Sequence, residues 1–251
     1  MGPCFPRAAD HLADLKRYLR TSNLPMKEAP RIHRAVSAAE IIHGLDSLPD
    51  FRTATVRAFR RGVSRRLRDR PPEEVVTLAL RLLRRSDIVS RFVAYELITH
   101  HPRALASLRA KDLEQLGAGI DSWGAVDTFS CYLAGRAWRA RQVPDRLIHR
   151  WARSPDRWWR RAALVSTVPL NNRTQGGNGD AKRTLAVCRL LVHDTDDMVV
   201  KAMSWALREL VKRDPQSVRA YIAEHEASLA KRVLREVRNK MTCGLKNPQP
   251  K

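Results

Sequence analysis

This chain has none of the usual loops and ligand sets of metal, nucleotide or serine chemistry. Its eight histidines form no HExxH or comparable spacing, so a histidine-bound catalytic metal is not expected. It has no GxSxG elbow, Walker loop or dinucleotide fingerprint. Its four cysteines, Cys4, Cys131, Cys188 and Cys243, are too scattered for a disulfide framework or a metal clip. The compartment therefore reads as reducing, with Cys131 and Cys188 as small core hydrophobes. No apolar run approaches the ~18 residues of a membrane span. The segment from Met1 to Arg7 has no apolar signal core, which argues against export. Carboxylates are the most informative shortage, with 26 Asp and Glu against 47 Lys and Arg and a net charge of +21.

Of those 47 cations, 37 are arginine. A guanidinium pairs with phosphate through two parallel hydrogen bonds and stacks on bases. A genome rich in Arg codons would raise the Arg/Lys ratio, but it would not remove acids. A charge this far from neutral points to a polyanionic partner, and nucleic acid is the expected one. The expected location is cytoplasmic, associated with the nucleoid. At 251 residues, 43% hydrophobic and 29% charged, the chain is a folded protein with a sizeable core.

Apolar residues recur at three- and four-residue spacing, as in residues 73–84 and 199–213, and no stretch has a period of two. Prolines at 25, 30, 49, 71, 72, 102, 144, 155, 169 and 215 divide the chain into helices of about 10–20 residues. Asp121-Ser122 and Ser154-Pro155 read as helix starts. Short helices joined by tight breaks predict an all-α solenoid of HEAT-like repeats with a concave basic groove, one domain over residues 1–251. Residues 171–180 (NNRTQGGNGD) read as a flexible loop, and residues 241–251 as a frayed tail.

Three helical stretches hold the candidate chemistry. In the first, Trp123 and Asp127 stand one turn apart on one face, with Gly124 and Ala125 between them. The alternative there is a core indole and an acid serving the helix dipole. The second, Trp158 to Ala163, offers Arg160 and Arg161. Arg161 heads an apolar run, either as a phosphate clamp or as a salt bridge to a neighbouring helix. In the third, Lys201 to Glu209, Lys201, Trp205 and Arg208 follow helical spacing; Trp205 could instead be core and Arg208 could pair with an acid. The run Arg57, Arg60, Arg61, Arg65, Arg66, Arg68 and Arg70 is a solvated face or a track for a DNA backbone. His100 and His101, at a helix end before Pro102, read as structural.

Together the three stretches resemble the AlkD family of DNA glycosylases. The resemblance rests on Trp123, Val126 and Asp127, on Arg161-Ala162-Ala163, and on Lys201 through Glu209. It covers residues 85 to 240, with the N-terminal quarter divergent. It implies HEAT-like repeats, duplex DNA carrying N3- or N7-alkylated purines as the partner, a monomer, no cofactor and no metal. It implies Asp127 as the catalytic carboxylate, Trp123 and Trp205 against the deoxyribose, and Arg161 on backbone phosphate, without flipping of the base. Arg160, Lys201 and Arg208 are further candidate DNA contacts. Ser122 and Gly124 stand where the family often has a second Trp and an acid, which suggests a specialised range of lesions, including bulky adducts. The rival expectations are a non-catalytic HEAT-like binder of damaged or branched DNA, and a scaffold for an acidic protein or RNA.

Overall fold

The computed structural model describes residues 36–248. Among them every regular element is helical. Helix α1 spans Ala38–Asp46, α2 Thr53–Leu67, α3 Pro72–Leu82 and α4 Ile88–Thr99. Helices α5 (Pro102–Ser107) and α6 (Ala110–Gly117) are short. Then α7 (Trp123–Phe129), a π-turn (Ser130–Ala134) and α8 (Gly135–Arg139) follow one another without a break. Helices α9 (Asp145–Ala152), α10 (Arg157–Val165), α11 (Val168–Asn171), α12 (Ala181–Leu190), α13 (Asp197–Val211), α14 (Pro215–His225) and α15 (Lys231–Cys243) complete the order.

The prolines act as starts more than as stops. Pro72, Pro102 and Pro215 are each the first residue of a helix, where the missing N–H has no helical partner to lose. The start expected at Ser154-Pro155 lies slightly later. Asp156 caps α10 by accepting from Trp158 N, and Ser154 Oγ accepts from Asp156 N. At the other end α15 runs on to Cys243 before Gly244 closes it at φ +75. Residues 249–251 lie outside the described residues.

The helices stack in a row. Helix α4 packs on α7, α7 on α10, α10 on α13, and α13 on α15. These five begin at residues 88, 123, 157, 197 and 231, steps of 35, 34, 40 and 34 residues. Hydrogen bonds follow the same period. Arg60 Nε reaches Glu96 at a separation of 36 residues, Arg161 reaches Asp127 at 34, and Ser204 reaches Glu236 at 32. That is a solenoid of helical repeats in which hydrogen bonds join helices about one repeat apart. Residues from 36 onward form one compact unit; the single domain expected over residues 1–251 extends into residues 1–35, which lie outside the described ones.

The core is continuous along this row. Four rings join the helices at its centre: Tyr95 to Phe129 at 5.8 Å, Phe129 to Trp151 at 5.8 Å, and Trp151 to Trp159 at 4.8 Å. The long third step contains residues 171–180, which are not the loose loop that their composition suggests. Asn171 is fully buried and donates to Thr167 O and Thr184 Oγ1. Arg213 donates to Asn171 O and Gly177 O. A Cβ on Gly177 would lie 2.6 Å from Pro169 O, so glycine serves close backbone packing here. No helix is long and apolar enough to cross a membrane among the described residues.

Candidate active site

Each of the three motif stretches lies on one of three successive inner helices, α7, α10 and α13. One side chain ties them together. Arg161 donates from Nε to Asp127 Oδ1 at 2.9 Å and from Nη2 to Asp127 Oδ2 at 2.8 Å. Its Nη1 donates to Met198 O, in the first turn of α13, at 2.6 Å. A planar fork matches a carboxylate in this way, and charge assistance strengthens both bonds. Of the two readings of Arg161, the structure contains the salt bridge. Each of its nitrogens already serves a protein acceptor, and only 7% of the side chain is exposed. The guanidinium therefore offers little surface to a phosphate.

Asp127 is the more accessible partner, with 19% of its side chain exposed. Burial raises its carboxyl above the ordinary aspartate value, and the hydrogen bonds and charge of Arg161 work in the opposite direction. Asp127 sits a full turn inside α7, behind Trp123 at the first position. The dipole reading is weak at that depth, since the effect fades after the first turn. Trp123 is not core either. It is 62% exposed, so its ring faces water.

Trp205 is half-buried and packs on the core edge. It stands seven residues, two helical turns, beyond Met198 on α13. Arg208 donates from Nε to Ser204 Oγ at 3.1 Å and lies 4.0 Å from Glu236. Burial lowers its pKa, and the nearby Glu236 and Glu209 oppose that shift. Lys201 pairs with Asp197 at 2.6 Å on the exposed side. Arg160 is held inside a turn, donating to Asp194 at 2.7 Å and to Ser154 O and Pro155 O. Its partners are structural, and the same holds for Trp159 in the aromatic core. Arg157 lies 4.9 Å over the outward ring of Trp158.

The sequence pattern did not single out Tyr132, Arg136 or Arg139, which follow Asp127 along α7–α8. Tyr132 Oη accepts from Arg57 Nη2 at 3.1 Å, and Arg136 lies 6.0 Å over the Tyr132 ring. Desolvation and then repulsion from Arg139 lower the Arg136 pKa. Neither guanidinium has a carboxylate partner among the described residues, and the Nε of each is buried without an acceptor. Gly124, next to Trp123 in the chain, borders a cavity of about 260 Å³ shared with Phe51, Ile88, Arg91, Phe92 and Tyr95. A Cβ on Gly124 would meet only Ile88 Cδ1, at 3.7 Å. Among the described residues no group of three or more His, Cys, Asp or Glu side chains could hold a metal ion.

The structure is a solenoid of helical repeats with a forked carboxylate and a water-facing indole one turn apart on one of its helices. The sequence model for DNA alkylation repair enzymes matches residues 34–241. The chain belongs to that family, and the AlkD-like resemblance of its motifs is thereby confirmed. The match begins well ahead of residue 85, so helices α1 to α3 belong to the family's domain as well. No curated protein and no solved structure matches the chain.

Proposed function

We propose that this DNA alkylation repair protein is a monofunctional glycosylase that hydrolyses the N-glycosidic bond of N3- and N7-alkylated purines in duplex DNA. The observation that carries this reading is the placement of Asp127. It is a partly buried carboxylate with both oxygens fixed by Arg161, one turn from an exposed indole. An alkylated purine already carries positive charge. When the C1′–N bond breaks, its electron pair neutralises the base, which leaves without a general acid. The positive charge moves to the sugar; water adds at C1′ and gives up a proton. The protein has to stabilise that sugar cation.

A carboxylate ~4 Å from the cation, at an effective dielectric of ~20, contributes about 4 kcal/mol. Arg161 reduces this. A guanidinium ~4 Å behind the carboxylate repels the same cation by about 2 kcal/mol. The remainder of about 2 kcal/mol corresponds to roughly thirtyfold in rate. Indole faces at Trp123 and Trp205 add about 0.5–2 kcal/mol each through cation–π attraction. Asp127 and two tryptophans thus supply a useful acceleration to a substrate that is already labile. Arg136, Arg139, Lys201 and Arg208 are the cations assigned to backbone phosphate, with Arg161 as the positioning residue for Asp127. The cavity bordered by Gly124 supports tolerance of adducts larger than methyl.

The test is release of N7-methylguanine and N3-methyladenine from methylated duplex in EDTA by wild type and Asp127→Asn, with thermal melts confirming that both are folded. Release by wild type that falls by an order of magnitude or more in the variant is expected. The neutralised charge of the Asp127–Arg161 pair favours one other reading, a non-catalytic binder of damaged DNA. Equal, tight binding by both proteins with no base released by either would establish that binder and overturn the glycosylase.

A further inference from the structure

The basic run on α2 separates into two groups once its partners are known. Arg57 and Arg60 are taken by Glu96, at 2.8 and 2.9 Å. That acid is 1% exposed and so needs both cations. Arg66 pairs with Glu40, and Arg70 with Glu74 at 2.6 Å. Arg61, Arg65 and Arg68 have no acid partner among the described residues. Their spacing of four and three places them on one face of the helix.

These three line an open cavity of about 310 Å³ together with Arg60, Ser64, His100, His101 and Pro102. No carboxylate borders it. Its wall also contains hydrogen-bond donors without acceptors. His101 is 4% exposed and its Nδ1 accepts from Ala104 N at 3.0 Å. The ring proton is therefore on Nε2, and that nitrogen is buried with no partner. Ser64 Oγ is likewise buried and unpartnered. Buried polar groups in native folds nearly always have partners, and two orphans in the residues lining one pocket accompany three unpaired guanidiniums there. The ligand that suits this lining is anionic and rich in oxygen.

We propose that this cavity is a phosphate-binding site, and that it takes a backbone phosphate of the DNA on which the protein acts. The phosphate chemistry follows from the cavity alone. Its assignment to DNA rests on the DNA-repair reading above. Arg57, one turn before Arg61, donates to Tyr132 on the helix that holds Asp127. Along α2 the cations at 61, 65 and 68 then lie roughly 6, 12 and 16 Å beyond Arg57, at 1.5 Å per residue. The site therefore grips the duplex away from the reacting nucleotide and serves register and affinity, not bond cleavage.

The test uses the whole protein and the variant Arg65→Ala/Arg68→Ala, whose side chains have no internal partners to lose. In the first arm, inorganic phosphate is titrated at constant ionic strength and the ¹⁵N resonances of His101 are followed. They are expected to move with phosphate but not with chloride, and to stay still in the variant. In the second arm, affinity for undamaged duplex is measured against salt. The log–log slope is expected to become shallower by about 0.9 per phosphate lost. If phosphate leaves His101 unmoved and the slope is the same in both proteins, the site is overturned. A response to phosphate with an unaltered slope retains the site but overturns its assignment to DNA, leaving a free phosphate monoester as the ligand. A shallower slope in a protein that releases no base supports the site while the glycosylase reading fails.

Discussion

Replacing Arg161 with Gln tests whether the fork is what makes Asp127 usable. The substitution removes two charge-assisted hydrogen bonds to Asp127 and one to Met198 O. Removing one member of a buried pair typically costs about 3–5 kcal/mol, because the other charge is left without compensation. Asp127 then keeps the desolvation that raises its pKa and loses the partner that opposes it. Its folded-state value moves further above the unfolded one. An acid whose folded pKa is raised loses stability as pH rises from the unfolded value to the folded value, and the loss is complete above that. The deficit of Arg161→Gln relative to wild type should therefore be smallest at or below the ordinary aspartate pKa and grow as pH rises above it. If the ionised carboxylate is the active form, the acid limb of the excision rate should move to higher pH in the variant. Arg161→Lys, which keeps the charge without the fork, should fall between the two. Denaturant melts across that pH range and single-turnover excision at each pH provide the measurements. A variant as stable as wild type at neutral pH, with an unmoved acid limb, would refute the reasoning.

Three further outcomes follow from the same geometry. Trp123→Ala should change stability by no more than about 0.5 kcal/mol, since the ring is exposed, yet slow excision by up to about thirtyfold, the kinetic equivalent of ~2 kcal/mol; melts and single-turnover rates check both parts. Gly135→Ala should destabilise by about 1–3 kcal/mol, because its Cβ would come within 2.6 Å of Ser166 O, and urea titration reads this directly. Burial pushes the thiols of Cys131 and Cys188 up to about 12, so at mildly alkaline pH a thiol reagent should label exposed Cys243 and leave both unmodified until the protein unfolds; peptide mapping distinguishes them.

The helices and the three motif stretches were legible in the sequence because each is specified locally. Apolar spacing marked residues 73–84 and 199–213, and the structure places α3 at Pro72–Leu82 and α13 at Asp197–Val211. The repeat was not legible residue by residue. What recurs every 34 to 40 residues is the start of an inner helix, while the bonds that link the repeats use different pairs each time, Arg–Glu, Arg–Asp or Ser–Glu. Residues 171–180 were misleading for a related reason. Asn and Gly read as a loose loop, but Asn171 is a buried hydrogen-bonding centre and Gly177 sits against the backbone of Pro169, both tertiary facts. The split within the basic run on α2 depends equally on where Glu40, Glu74 and Glu96 lie in space.

The π-turn after Asp127 had no sequence signal, yet it reconciles two demands made on one helix. Asp127 must face α10 to meet Arg161. Gly135, eight residues on, must face the end of α10, where Ser166 and Pro169 pack so closely that only a hydrogen fits. In an unbroken α-helix, eight residues turn through about 800°, which leaves the two positions about 80° out of phase. One extra residue absorbed in the π-turn at Ser130–Ala134 makes the interval equivalent to seven, about 20° short of two full turns. Both positions then point at the same neighbour. The tight crossing at Gly135 anchors the far end of the helix, so the Asp127–Arg161 fork forms against a fixed frame. The wider turn lies next to the carboxylate that needs holding, in keeping with the frequent occurrence of such turns at functional positions.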